Sequence, residues 1–165
     1  MGMRAGLASL SAAQAEALRE APDDVEAIVF TQDRSAKQRQ VDLDKAWHGI
    51  HWLLTGDAWA GEPPLAWAIL GGEAISDDDD MEYGPARVVK PEQVREVAAA
   101  LAALDDDALA RRYDPAAMDA QQIYPGIWTR DGQAALDYLR YYFHILARFY
   151  SEAAERGDAA LQWIA

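Results

Sequence analysis

The stretch DLDKAWHGIHWLLTG, residues 42–56, sets two histidines three positions apart among tryptophans and leucines. At about 100° per residue on a helix, Leu43, Trp47, Ile50 and Leu54 fall on one face. That face is predicted to enter the core of a helix running from about Asp44 to Thr55, with Gly56 placed to end it. Asp44, His48, His51 and Thr55 follow one another at turn spacing and form a polar flank. Trp52 and Lys45 are expected on the side away from the core. A helix with one apolar face needs a second layer, so the rest of the chain must supply a sheet or further helices.

Upstream, MRAGLAS (3–9) reads as a short strand, and Ser11 as the N-cap of a helix through Glu20, stopped by Pro22. VEAIVF (25–30) suits a short helix or a strand. TQDRSAKQRQ (31–40) is polar and unpatterned, an exposed loop. Downstream, GDAWAGEPP is a loop, and PLAWAILGG is an apolar segment that Gly71-Gly72 must stop. EAISDDDDMEYGP is a second long loop. ARVVK (86–90) is the best candidate for a central strand, and Pro91 opens a helix carrying Val94, Val97, Leu101 and Leu104. Asp105 and Asp114-Pro115 look like helix starts, and QQIYPGIW (121–128) contains a Pro-Gly turn. The longest helix is predicted from about Asp131 to Arg156, with Leu136, Leu139, Phe143, Leu146 and Tyr150 as its buried stripe and Gly157 as its end. ALQWI (160–164) completes the chain as a strand. The pattern implies one α/β domain over residues 1–165, a small mixed sheet covered by helices, with a long C-terminal helix followed by a terminal strand.

Composition sets the outer limits. The chain has 165 residues, of which 51% are hydrophobic, with six Trp and seven Tyr. That is ample for a folded core. Fifteen Lys and Arg stand against 28 Asp and Glu, a formal charge of −13. Such a field repels phosphates, so neither nucleic acid nor an anionic membrane is an expected partner, whereas a basic protein would be steered in quickly. The absence of cysteine removes disulfides, thiolate metal sites and cysteine nucleophiles together, and fits a cytoplasmic location. MGMRAGLASLSAAQ lacks the apolar core of a signal peptide. Gly6 stands where a myristoylation motif wants Ser or Thr. No apolar run approaches the length of a membrane span.

The histidine pair invites three chemical readings: two imidazoles on a metal, a general base His48 oriented by Asp44, or a small-molecule pocket walled by Trp47. The zinc-hydrolase pattern needs histidines four apart with an adjacent Glu, which is absent. The plain alternative is that Asp44 caps the helix and the histidines are half-buried, satisfied by backbone or aromatic neighbours. A pocket on this flank would draw Asp44, Trp47, His48, His51, Thr55, Tyr83, Arg87 and Tyr124 together. The acidic run Asp77, Asp78, Asp79, Asp80 fails the calcium-loop template, since position six from Asp77 is Glu82 instead of Gly. It reads as a solvated turn or as an acidic contact for a basic partner. No nucleotide-binding glycine motif and no nucleophile elbow is present. No catalytic residue, metal or cofactor is expected.

Several segments in order, LDKAWHGIHWLLTG, PLAWAILGG, YGPARVV followed by PEQV, IYPGIW and the AAERGDAALQWI tail, resemble the YfbM-like family of small bacterial proteins, a domain of unknown function. The likeness covers nearly the whole chain and is weakest over the first forty residues. It implies an α/β domain with helices on a mixed sheet and brings no catalytic residue with it. Two functions are therefore expected as alternatives. One is a non-catalytic acidic binding protein, an immunity- or inhibitor-type partner of a basic bacterial toxin or enzyme, making contact through Trp52, Trp59, Asp77, Asp78, Asp79, Asp80 and Glu82. The other is a small-molecule-binding domain or enzyme that uses the Asp44, His48 and His51 flank.

Overall fold

The computed structural model describes residues 2–77 and 81–165; Asp78, Asp79 and Asp80, part of the expected partner contact, lie outside the described residues. At its centre the two ends of the chain pair with each other. Strand β1 (Ala5–Leu10) runs antiparallel to the last strand, β5 (Ala159–Ile164), in the register Ala5–Ile164 through Leu10–Ala159. β2 (Gln40–Asp42) adds to the outer edge of β1, while β4 (Arg87–Val89) and then β3 (Glu73–Ala74) add beyond β5. The five-stranded order is β2-β1-β5-β4-β3.

Every pairing is antiparallel, which corrects the expectation of a mixed sheet. The physical reason is the direction of the returns. The long helix α9 (Gln133–Arg156) ends on Gly157 in the left-handed conformation, and β5 starts at once, against the direction of both neighbours. The short strands β2 and β3 fall in segments rich in polar residues or glycine, where no alternation announces them.

Both faces of the sheet are covered, so all six residues of β1 are buried. The odd-numbered side chains Ala5 and Leu7, with Val89 and Ala160 of the neighbouring strands, pack under α4 (Trp47–Thr55), α5 (Pro91–Ala102) and α9. The smaller α6 (Asp106–Arg112), α7 (Pro115–Ala120) and α8 (Trp128–Asp131) extend that layer through Leu109, Met118 and Trp128. The opposite face carries Ala8, Leu10, Val88 and Leu161 under α1 (Ala12–Glu20) and α2 (Val25–Val29).

Local chemistry explains most element ends. Ser11 accepts from the backbone of Gln14 while the Gln14 side chain accepts from Ser11, a reciprocal cap on α1. Asp105 and Asp114 cap α6 and α7 through the N–H groups of Ala108 and Ala117. Residues 25–30 are helical over α2, and residues 31–40, expected as loop, hold a single turn, α3 (Arg34–Lys37), capped by Asp33. The expected long helix from Asp131 is broken at Gly132, φ 51°, into α8 and α9. Its stripe Leu136, Leu139, Phe143, Leu146 and Tyr150 is buried.

Helix α4 departs most from its sequence reading. Leu43, Trp47, Ile50 and Leu54 do enter the core, yet every residue from Trp47 to Leu54 is buried. Trp52, expected on the outer side and in a partner contact, is only 7% exposed, and its indole donates to the side chain of Gln121 at 3.0 Å. Residues following α7 cover that side of α4, and a tertiary cover of this kind leaves no mark on the local period. Gly49 lies where the helix meets its neighbours. A β-carbon there would stand 2.5 Å from Trp128 Cη2 and 2.7 Å from Leu139 Cδ2.

Gly→Ala inside a helix ordinarily adds about 1 kcal/mol of stability. At Gly49 the steric cost is expected to outweigh that gain, and Gly49→Ala should lower the unfolding free energy by about 1–3 kcal/mol in urea titrations. A more stable variant would show that Trp128 and Leu139 do not approach the helix this closely.

Candidate functional site

Asp44 begins the polar flank, and it does not act as a cap. It is the first residue of the 3₁₀ turn Asp44–Ala46 that leads into α4, with φ 50°, and no side-chain cap is made there. Its own N–H is taken by Asp42 Oδ1 at 2.7 Å. Its carboxylate instead receives the Tyr138 hydroxyl at 2.8 Å and pairs with Arg4 at 3.0 Å. Lying within the turn rather than ahead of it, Asp44 points its carboxylate toward β1 and α9. Desolvation, then the Asp44 carboxylate, holds the Tyr138 hydroxyl well above its usual titration range. This cluster fastens the start of the chain to α9.

His48 has a different role. Its Nε2–H donates to the carbonyl of Ala58 at 2.8 Å, and its Nδ1 accepts the backbone N–H of Tyr124 at 2.9 Å. A carbonyl can only accept and an amide N–H can only donate, so the two bonds fix one neutral tautomer. The ring is stacked on Trp47, centroids 4.8 Å apart and planes at 12°, and meets Trp59 at 4.5 Å with the planes tilted by 38°. His51, one turn further on, donates through Nε2 to Ala60 at 3.0 Å, and its Nδ1 is buried without a partner among the described residues. The two imidazoles thus fasten the loop after α4 to the helix. The loop is prepared for this by Asp57, whose Oδ1 accepts the N–H groups of Trp59 and Ala60, each at 2.8 Å.

These environments set the proton affinities. Burial, His48's largest influence, pushes its pKa down, opposed by the Ala58 carbonyl. Burial does the same to His51. The backbone donors of Trp59 and Ala60 hold the Asp57 carboxyl below its ordinary range. The third histidine, His144, is exposed on α9 and pairs with Asp106 at 2.8 Å, so it does not join the pair.

The eight residues expected to share a pocket do not converge. His48 and Tyr124 line one cleft of about 480 Å³ together with Met3, Trp59, Asp119 and Gln122. Trp47 lies behind it, fully buried, its indole donating to the Met3 carbonyl at 3.1 Å. Asp44 is engaged with Arg4 and Tyr138, His51 is 1% exposed and sealed, and Thr55 belongs to the C-terminal end of α4, where its hydroxyl donates to the His51 carbonyl. Tyr83 and Arg87 border a second depression of about 330 Å³ with Trp163. The reason is angular: turn spacing aligns Cβ atoms, but α4 is covered all round, so each member of the flank meets a different neighbour.

Trp59 joins the two depressions, lining both. It is 65% exposed although in tilted ring contact with His48, and Tyr83 is 45% exposed. Of the residues expected to contact a partner, Trp59, Asp77 and Glu82 are exposed and Trp52 is not. Tyr124, within a turn that continues through Pro125 to Gly126, φ 76°, is the other aromatic wall of the first cleft. Asp119 was not singled out by sequence: it lies on α7, brought alongside only by the turn that follows. Among the described residues no group of three or more His, Asp or Glu is placed to hold a metal ion, and no helix is long and apolar enough to cross a membrane.

A family model described as a domain of unknown function (DUF1877) matches residues 1–163. Among solved structures, the chain is similar to the one titled as a protein of unknown function, YfbM, from Escherichia coli. The two are 22% identical, with a TM-score of 0.77, covering 98% of this chain and 99% of that one. That likeness shows the fold, and together with the family match it supports the YfbM-like resemblance seen in the sequence. No curated protein matches the chain.

The lowered proton affinity of His48 and His51 has a direct consequence for stability. Above pH 6.5, the ordinary histidine value, both folded and unfolded chains carry neutral rings and the two fastenings contribute in full. As pH falls below that value, the unfolded chain binds protons that the folded imidazoles refuse, so stability declines toward their lower folded pKa values. Urea midpoints are expected to fall between about pH 7 and pH 5. His48→Ala should cost about 1–3 kcal/mol at pH 7 and flatten the slope. A wild-type stability that rises on acidification through this window would contradict the assignment.

Proposed function

We propose that this chain, which belongs to the DUF1877 family, is a non-catalytic acidic binding protein whose partner is a basic protein, in the manner of an inhibitor or immunity protein acting on a basic toxin or enzyme. The observation that carries the reading is Trp59: a large aromatic 65% exposed on a loop whose backbone is held by Asp57 and fastened to α4 by both histidines. Exposed tryptophans on rigid supports are typical binding anchors, because they bury a large area on contact and lose little conformational freedom in doing so.

Electrostatics supports the same reading. The chain carries a formal −13, and acidic residues flank the anchor: exposed Asp57 and Glu62 in its own loop, and exposed Glu82 beside Tyr83. A basic partner would be drawn in by the field and seated by the aromatics. The catalytic alternative on the polar flank has less support, since both nitrogens of His48 are committed to backbone groups and His51 is sealed. A base with no free lone pair cannot take a substrate proton.

Recovery of the chain from its own host at low salt should bring a basic partner, and the complex should re-form from the two purified proteins. Affinity is expected to fall with salt and to drop by about tenfold or more in Trp59→Ala, the range of an interface anchor. Recovery of the chain alone at low salt, or a partner indifferent to both salt and Trp59, would contradict the proposal.

A further inference from the structure

We infer that the cleft between Trp59 and Tyr124 is a receptor for the side chain of an arginine presented by the basic partner, an inference that rests on the reading of the chain as an acidic binding protein. The cleft measures about 480 Å³, inside the range of roughly 300–1,000 Å³ seen for binding pockets. Its walls are the Trp59 ring, exposed and seated on His48, and the Tyr124 ring, 6.1 Å from Trp47 in a stacked arrangement. Trp47 is also 6.2 Å from Trp59, so one buried indole supports both walls. Aromatic faces present negative quadrupole to a cation, and tryptophan does so most strongly.

The charge that completes the receptor is Asp119. Its Oδ2 receives the backbone N–H of Thr129 at 2.9 Å and also the Thr129 hydroxyl. Those bonds fix the carboxylate and favour its ionised form, the Thr129 hydroxyl contributing most. The backbone of Trp128 adds to this hold on the carboxylate, and the residue borders the cleft. No lysine or arginine is among the lining residues, Lys45 approaching only the hydroxyl end of Tyr124 beside Gly2, and His48 is held neutral by the Tyr124 N–H. A cleft with two aromatic walls, one fixed carboxylate and no lysine or arginine in its lining favours a cation. A guanidinium suits it better than an ammonium, because it is flat, weakly hydrated and able to stack while one N–H reaches a carboxylate oxygen.

The test is an amide and indole NMR titration of the full chain with N-acetyl-arginine methylamide, its neutral citrulline counterpart and choline. Saturable shifts are expected at the Trp59 indole and the Tyr124 amide with the arginine probe, about tenfold weaker with Trp59→Ala or Asp119→Asn. Trp59 is exposed, and an asparagine at 119 keeps an acceptor for Thr129, so unchanged spectra elsewhere would verify folding in both variants. Citrulline binding as tightly as arginine, or no saturable shift with arginine, overturns the inference while leaving Trp59-dependent partner binding intact. Choline binding more tightly than arginine overturns it in favour of a free small cation. Conversely, a partner complex indifferent to Trp59 removes the binding-protein reading without altering the arginine titration.

Discussion

One imidazole joins three parts of the molecule. His48 projects from the buried helix α4, gives its proton to Ala58 in the following loop, and accepts the amide of Tyr124 from a turn 76 positions away. A rotated ring would lose both bonds, and a charged ring would keep the Ala58 carbonyl but could no longer accept the Tyr124 amide. The nitrogen of His51 that has no partner among the described residues works in the same direction, since a second proton there would place a charge among buried apolar groups. The pair are hinge pins for surface loops, and their chemistry is spent on architecture.

The surface that results is unusual for a chain of this charge. An acidic protein gains solubility and fast encounter from its field, but the field alone gives little selectivity. Here the loop carrying Trp59 is held at Ala58 and Ala60 by histidines and at its start by Asp57, so an exposed indole is presented at low entropic cost on binding. Trp59 faces Tyr124 and Asp119 on one side and Tyr83 and Trp163 on the other. The proposed binding role rests on that geometry as well as on net charge.

How much of this was legible in the sequence depends on distance along the chain. The ends of α1, α6 and α7 were readable because Ser11, Asp105 and Asp114 act within three residues of themselves. The stripe of α9 was readable because its period is local. The strands β2 and β3 were not, being three and two residues long and recruited by neighbours distant in sequence. The burial of Trp52 was missed for the same reason: Gln121 lies 69 positions away. For the site, sequence grouped His48 with Tyr124 in one expected pocket and assigned Trp59 to a separate partner contact. It could not show that His48 joins the loops of the other two, nor that Asp119 stands beside them, because both depend on the turn that follows α7. The period of the 44–55 segment even suggested a shared pocket along one flank, which a helix covered on all sides does not provide.

The central claim is that His48 is a neutral structural link with its proton on Nε2. Long-range ¹H–¹⁵N correlation of the imidazole nitrogens measures this directly in the folded chain. The account predicts a protonated Nε2 and an unprotonated, hydrogen-bonded Nδ1 that persist as pH is lowered below 6.5, the ordinary value for the ring. A ring that titrates at or above that value, or that carries its proton on Nδ1, would contradict the account, because neither state can accept the Tyr124 amide.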